Sequence, residues 1–235
     1  MRFKIDNISY NRADLRKGII LPERLSSELA EETGLHIGDG TMNFYINKGG
    51  CTGKYSLRGH INDDVKHYDI RVKKLYSLLY SLEINLSKMK STGVYGFQVW
   101  TDGIVNFKHK ILNLPMGKKL EVRIPGCFID KCFIDVVRGI FDTDGCIYLE
   151  HKNNKLYPRI QIGTISRGLS EQLKNNLLRL GFRATAFVED RRDKGWNNLY
   201  TVSIRGEEML QKWMKIINPA NPKHISKFDF FVKNS

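Results

Sequence analysis

Two aspartates, each followed by glycine and each closing a stretch of helical spacing, are the residues best placed to do chemistry: Asp39-Gly40 and Asp144-Gly145. They lie 105 positions apart in a chain of 235 residues, close to half its length. Their surroundings repeat as well. Ile20-Leu21-Pro22 precedes Gly38-Asp39-Gly40, and Ile124-Pro125 precedes Asp142-Thr143-Asp144-Gly145. Small residues recur four apart before each aspartate, Ala30, Gly34 and Gly38 in one case, Gly139 and Thr143 in the other. Four-residue spacing puts them on one helical stripe, where two backbones can approach closely. If the stripes face each other about a pseudo-twofold axis, the two aspartates become neighbours. Paired carboxylates at helix C-termini repel each other and oppose the helix dipole, and a divalent cation removes that cost. Oxygen-only ligands favour Mg²⁺ over zinc, with Mn²⁺ or Ca²⁺ as alternative occupants. Gly38 and Thr143, immediately before each aspartate, complete the candidate metal set with Asp39 and Asp144.

Positioning those groups requires elements that also repeat. Alternating segments follow each Asp-Gly, Thr41 to Ile46 and Cys146 to Glu150, and second ones run near Tyr55 to Ile61 and Arg159 to Ile165. Both pairs read as strands. Helices are expected over Ile70 to Leu82 and over Leu169 to Leu180, the latter stopped by Gly181. Two more strands and a last helix follow in each copy, the helices opening near Asp102-Gly103 and Gly206-Glu207. Each copy ends in an Asn- and Pro-containing turn, Leu112-Asn113-Leu114-Pro115 and Ile217-Asn218-Pro219. Aligning the asparagines sets Lys118 opposite Lys223, with Lys119 adjacent. The fold class is therefore α+β, a tandem duplication of an αββαββα unit. The seam is expected between Pro115 and Pro125, giving a first repeat with its N-terminal extension over 1–116 and a second over 117–235.

At the two helix ends the wording becomes specific. Glu32-Thr33-Gly34-Leu35-His36-Ile37-Gly38-Asp39-Gly40 and Val137-Arg138-Gly139-Ile140-Phe141-Asp142-Thr143-Asp144-Gly145 resemble the two signatures of the LAGLIDADG homing endonucleases. The resemblance covers nearly the whole chain. It implies a single-chain pseudo-dimer, a saddle with two antiparallel sheets facing DNA, that cuts both strands of a long asymmetric site. It also implies Mg²⁺ held by the last aspartate of each signature, Asp39 and Asp144, with a basic residue near each scissile phosphate to offset its charge, places that Lys118 and Lys223 hold here with Lys119 an adjacent contender. Copy one departs from the pattern at Glu32, Thr33 and His36, where small or apolar residues are usual; His36, in mid-helix, reads as a packed histidine.

Alternation then divides each sheet. Met42, Phe44, Ile46, Ile147 and Leu149 form the core-facing set. The opposite faces offer Thr41, Asn43, Tyr45 and Asn47, then Ser56, Arg58 and His60, in copy one. Copy two offers Cys146, Tyr148, Glu150 and Lys152, then Arg159 and Gln161, and finally Thr201, Ser203 and Arg205. Arg, Asn and Gln can read base edges in a major groove. The loop around Arg191, Arg192, Lys194 and Trp196 is a further candidate for phosphate contact.

Bulk numbers agree. The net charge of +13 divides as +5 before and +8 after Met116, so it is no basic tail. That charge points to a phosphate-rich partner, which the resemblance makes double-stranded DNA bound by a monomer. The longest uncharged run, Ser91 to Thr101, is 11 residues, too short to span a membrane. The start lacks an apolar signal core and neither end carries splice-junction residues, so a free-standing intracellular protein is expected. The four cysteines form no paired metal pattern and read as reduced. Two other readings remain. One is a non-cutting nucleic-acid binder, an intron maturase or a regulator. The other is a haloacid-dehalogenase-like phosphatase, suggested by Asp142-Thr143-Asp144-Gly145, whose motif belongs after a strand of a parallel sheet.

Overall fold

A computed structural model describes residues 1–47, 50–152 and 155–234, without the side chains of Asn47 and Lys152. Those two side chains, expected on the DNA-reading face, lie outside the described residues. Local chemistry sets the first elements. Asn11 caps α1 (Arg12–Lys17) through a reciprocal box with Asp14, and Gly18 closes it at φ 64°. The Ser26 hydroxyl accepts from Leu29 N at 3.1 Å and opens α2 (Ser27–Asp39). The chain then runs through β1 (Gly40–Asn47), β2 (Gly50–His60) and α3 (Val65–His67). A π-helical turn (Tyr68–Val72) leads straight into α4 (Lys73–Tyr80). Next come β3 (Ser87–Met89), β4 (Val94–Trp100) and α5 (Asp102–Asn106), which continues into a second π turn (Phe107–Ile111).

The second half follows the same order. After α6 (Gly126–Ile129) come α7 (Phe133–Asp144), β5 (Gly145–Lys152), β6 (Lys155–Thr164) and α8 (Arg167–Arg179). Then β7 (Ala184–Glu189), β8 (Leu199–Arg205), α9 (Glu207–Ile216) and α10 (Pro222–Asn234) complete it. Two antiparallel sheets result, ordered β1-β2-β4-β3 and β5-β6-β8-β7. Their registers are copies. Gly40 faces Leu57 and Leu57 faces Phe97, while Gly145 faces Ile162 and Ile162 faces Val202, each number higher by 105. Asn113 and Asn218 stand at the same offset, and both adopt left-handed backbone, φ 54° and 51°.

Glycine joins the halves. A Cβ on Gly34 would sit 2.9 Å from Gly139 Cα and Ile140 N, and one on Gly139 would sit 2.7 Å from Leu35 N. The backbones of α2 and α7 therefore touch, with no side chain able to yield. Gly34→Ala should cost about 1–3 kcal/mol by forcing the helices apart. Gly126→Ala, at a position with nothing nearby, should be neutral. Urea midpoints at unchanged slope measure the contrast; equal midpoints for the two variants would remove this pairing from the account.

Each sheet buries one face on helices and leaves the other open, the usual state of an antiparallel sheet. Met42, Tyr55, Leu57 and Phe97 line the buried side of the first, and Ile147, Ile160, Ile162, Val202 and Ile204 that of the second. Ile46 corrects the alternation: expected in the core, it is 89 % exposed, because the β1–β2 hairpin runs on past the covering helices. The helix expected from Ile70 begins at Val65 instead, and Ile70 itself is exposed. Among the described residues no helix is long and apolar enough to cross a membrane.

Candidate active site and nucleic-acid interface

Helices α2 and α7 end at Asp39 and Asp144, and the chain leaves each directly into a strand. Glycine is needed at both exits. A Cβ on Gly40 would lie 2.7 Å from His36 Cα, and one on Gly145 would lie 2.6 Å from Phe141 Cγ. The end of α2 also lies against that of α7, since a Cβ on Gly38 would stand 2.6 Å from Thr143 Cβ and 3.4 Å from Asp144 Cγ. The Thr143 hydroxyl turns back onto the Gly139 and Ile140 carbonyls.

The carboxylates feel each other. Burial and then the charge of Asp144 push Asp39 up to about 7, although a hydrogen bond from Tyr68 OH to Asp39 Oδ2, 3.0 Å, pulls the other way. Asp144 is raised to about 6 by burial, against the nearby cations Lys119 and Lys223. Its residue surface still opens to solvent on the groove side, which softens that shift.

Two ammonium groups reach this centre. Lys119 Nζ donates to the carbonyls of His36, Ile37 and Gly38 at 2.8, 2.9 and 2.5 Å, capping α2, and burial lowers its pKa to about 8. Lys223 Nζ donates to Asp64 Oδ1 at 2.9 Å and lies 3.5 Å from the Thr143 carbonyl. Lys118, expected to match Lys223, is instead exposed beside Thr41, Asn43 and Arg58 on the groove wall. Gly117, at φ 70°, donates to Met42 O and ties this segment to β1, and it is the next residue, Lys119, that reaches the α2 carbonyls. The true counterpart of Lys119 is His224, whose Nε2 lies 2.9 Å from Phe141 O, the equivalent of His36 O. The halves thus supply their cation from adjacent positions of the same turn.

The donor set suits Mg²⁺. Among the described residues no three His, Cys, Asp or Glu side chains cluster as a metal site, so the two aspartates are the carboxylates at issue. A hard divalent cation can be held by as few as one carboxylate while keeping its waters, and Asp39 and Asp144 each offer one. The carbonyls of Gly38 and Thr143, expected as further ligands, are approached here by the two lysines.

A pH dependence follows. Both aspartates bind protons more tightly folded than at the free value of 3.8, so their contribution is present at low pH and lost as pH rises through about 6 to 7. Metal-free wild type should therefore lose thermal stability relative to Asp39→Asn between about pH 5 and about pH 8, and added Mg²⁺ should restore more at the higher pH. Buried His67 and His224, lowered to about 4 and about 3, act oppositely on acidification, and the paired comparison cancels them. A difference that stays flat with pH would show that the pair carries no such burden.

The open sheet faces carry most of the expected readers. Thr41, Asn43, Tyr45, His60, Tyr148 and Arg205 are exposed, while Arg58, Glu150, Arg159 and Gln161 are half-buried. Ser56, Thr201 and Ser203 also point to this face but are covered, Ser203 to 1 % exposure; Ser56 bonds Thr41 Oγ1 at 2.7 Å. They support readers rather than present an edge. In the loop, Arg191 pairs with Glu189 and Arg192 with Asp190, which leaves Lys194 as the exposed cation without an ion pair among the described residues. Sequence reasoning missed Lys54, Gln98 and Trp100. Continued alternation along β4 places Gln98 beside Ser56 and Trp100 beside Lys54. Lys54 Nζ sits over Tyr45 and Trp100, 5.9 and 5.5 Å from their ring centres. The same places in the second sheet hold Glu150, Arg159 and Arg205, so the two arms present different chemistry.

A phosphatase reading does not survive this geometry. Asp142, where that motif would place a nucleophile, is buried and accepts from Ala220 N and Asn221 N, and both sheets are antiparallel.

Comparison with known proteins gives the same picture. Residues 134–218 match the family described as LAGLIDADG-like domain. The homing endonuclease I-DmoI in complex with DNA and Ca superposes with a TM-score of 0.61, at 18 % identity, over 86 % of this chain and 97 % of that one. The LAGLIDADG homing endonuclease I-GzeII in complex with its DNA target gives 0.59, at 9 % identity, over 89 % of each chain. Identities this low speak for the fold. A curated relative, the ATP-dependent DNA helicase Hel308 of Methanocaldococcus jannaschii, is 25 % identical over 190 residues, 77 % of this chain. The chain spans only 13 % of that protein's length. The second half of the chain is thus similar to a LAGLIDADG-like domain, and the duplicated α+β fold is that of the single-chain LAGLIDADG homing endonucleases.

Proposed function

We propose that this protein is a DNA endonuclease that hydrolyses both strands of a long, asymmetric duplex site, using Mg²⁺ held by Asp39 and Asp144. The observation that carries the reading is the meeting of those two aspartates at touching helix ends, between two sheets whose open faces are rich in Arg, Lys, Asn and aromatic side chains. Solved relatives of this fold are complexes with DNA that include Ca, Mn or Mg, which supports a divalent ion here. Bound at each aspartate, a divalent cation would lower the pKa of the attacking water and offset charge on the leaving oxygen.

The chain's own groups do the remainder. Lys119 and Lys223 bring positive charge to the centre where the phosphate becomes more negative. Asn43, Arg58, Gln161 and Arg205 read base edges, one half-site to each repeat, 1–116 and 117–235. Lys118 and Lys194 contact phosphates, and binding weakens steeply with salt. We read the protein as a monomer that acts inside the cell, where its DNA is.

The test starts from a random duplex library bound in Ca²⁺ and enriched by retention. Enriched duplexes given Mg²⁺ should be cut by wild type and left intact by the Asp39→Asn, Asp144→Asn double variant. Enrichment without cutting would instead make the protein a binder.

A further inference from the structure

The two halves treat their aspartates differently. Tyr68 is buried, and its hydroxyl donates to Asp39 Oδ2 at 3.0 Å. Its ring has a made-to-measure socket: a Cβ on Gly59 would fall 2.8 Å from Tyr68 Cε2, and Tyr95 and His67 pack against the ring at 6.1 and 6.2 Å. The residue opens a π-helical turn, an insertion into an α-helix that often marks a functional position. Among its described residues the second half has neither feature. Helix α8 is α-helical throughout and buries Leu169, Leu173 and Leu177 at the four-residue spacing with which the first half buries Tyr68, Val72 and Tyr76. Asp144 accepts no side-chain hydrogen bond among the described residues. On that side a polar group is spent on the lysine instead, since Asp64, from the first half, holds Lys223.

We propose that Tyr68 is a positioning residue for Asp39, and that its lack of a counterpart makes the two cutting centres unequal, the strand served by Asp39 being cut first. The inference rests on the hydrolytic reading above. A hydrogen bond to one carboxylate oxygen fixes the plane of the group and leaves Oδ1 free for a cation, so less rearrangement separates the resting from the reactive geometry. Asp144, which no side-chain hydrogen bond holds among the described residues, must be ordered at the moment of reaction.

Tyr68→Phe removes one oxygen and keeps the ring in its socket. On an enriched duplex with its strands separately labelled, wild type in Mg²⁺ should cut one strand faster. In the variant that strand should slow by about tenfold while the other changes by less than about twofold, the usual scale for loss of a group that orients a ligand. A purely structural role would slow both strands together. Mn²⁺ titration of the protein–duplex complex, followed by electron paramagnetic resonance, gives a readout that needs no cutting. Wild type should show two unequal sites, and Tyr68→Phe should weaken the tighter one alone. Equal slowing of both strands, unchanged rates, or two sites that the variant leaves as they were would each overturn the assignment. If wild type binds the duplex and cuts neither strand, the hydrolytic reading fails, and the Mn²⁺ titration still decides the role of Tyr68.

Discussion

Lys108→Met should cost about 3–5 kcal/mol of folding stability, the largest loss expected from any single replacement outside the helix seam. Lys108 and Glu32 are both fully buried, with Nζ 2.7 and 2.6 Å from the two carboxylate oxygens. Glu32 also accepts from Tyr76 OH at 2.5 Å and Tyr80 OH at 3.0 Å, and Tyr76 meets Tyr55 OH at 2.6 Å. The ammonium lies 5.3 Å from the Tyr55 ring centre. Both charged groups in this pocket are therefore paired, and removing the cation leaves a carboxylate in a medium that cannot solvate it. Lys108→Met combined with Glu32→Gln takes away both charges yet keeps an acceptor for the tyrosine hydroxyls. That pair should recover most of the loss. A chemical denaturation cycle over the four proteins measures the coupling, and additive losses would mean the ion pair is not the organising contact. The network also explains why copy one tolerates Glu32 where its signature usually has a small or apolar residue.

Asp39→Asn and Asp144→Asn, made singly, should each turn a double-strand cutter into a nicking enzyme. Each aspartate closes its own helix and a lysine approaches each helix end, Lys119 at α2 and Lys223 at α7, so losing one carboxylate should leave the other centre in place. The strand served by the altered residue should slow by about a thousandfold, the rate equivalent of about 4 kcal/mol of lost charge stabilisation. Binding of the enriched duplex in Ca²⁺ should persist, because the sheet faces are untouched. Supercoiled plasmid carrying the site would accumulate as open circle and give no linear form. If either variant stopped both strands equally, the two carboxylates would be one joint centre.

How much of this was legible beforehand depended on distance along the chain. The Asp-Gly helix ends, the small-residue stripe and the strand alternation are local, and their 105-residue repeat made the duplication readable. The Asn113 and Asn218 alignment was right as well, yet it pointed to Lys118. Which lysine turns inward depends on the tie from Gly117 to Met42, a contact between distant residues. Tyr68 and Asp64 were out of reach for the same reason, since only the fold brings the segment after β2 against Asp39 and Lys223. Ile46 failed because alternation says which way a side chain points but not whether a helix lies there to cover it. Ser203 points to the open face and is covered by its neighbours.

The central claim, a metal-dependent cut made at the seam between two reading arms, is tested most directly by mapping the ends of a cleaved duplex. An enriched site digested in Mg²⁺ and sequenced should show both breaks near its middle, between the stretches preferred by the two sheets, and none after chelation. Breaks at one end of the site, or cutting that continues without a divalent ion, would contradict the account.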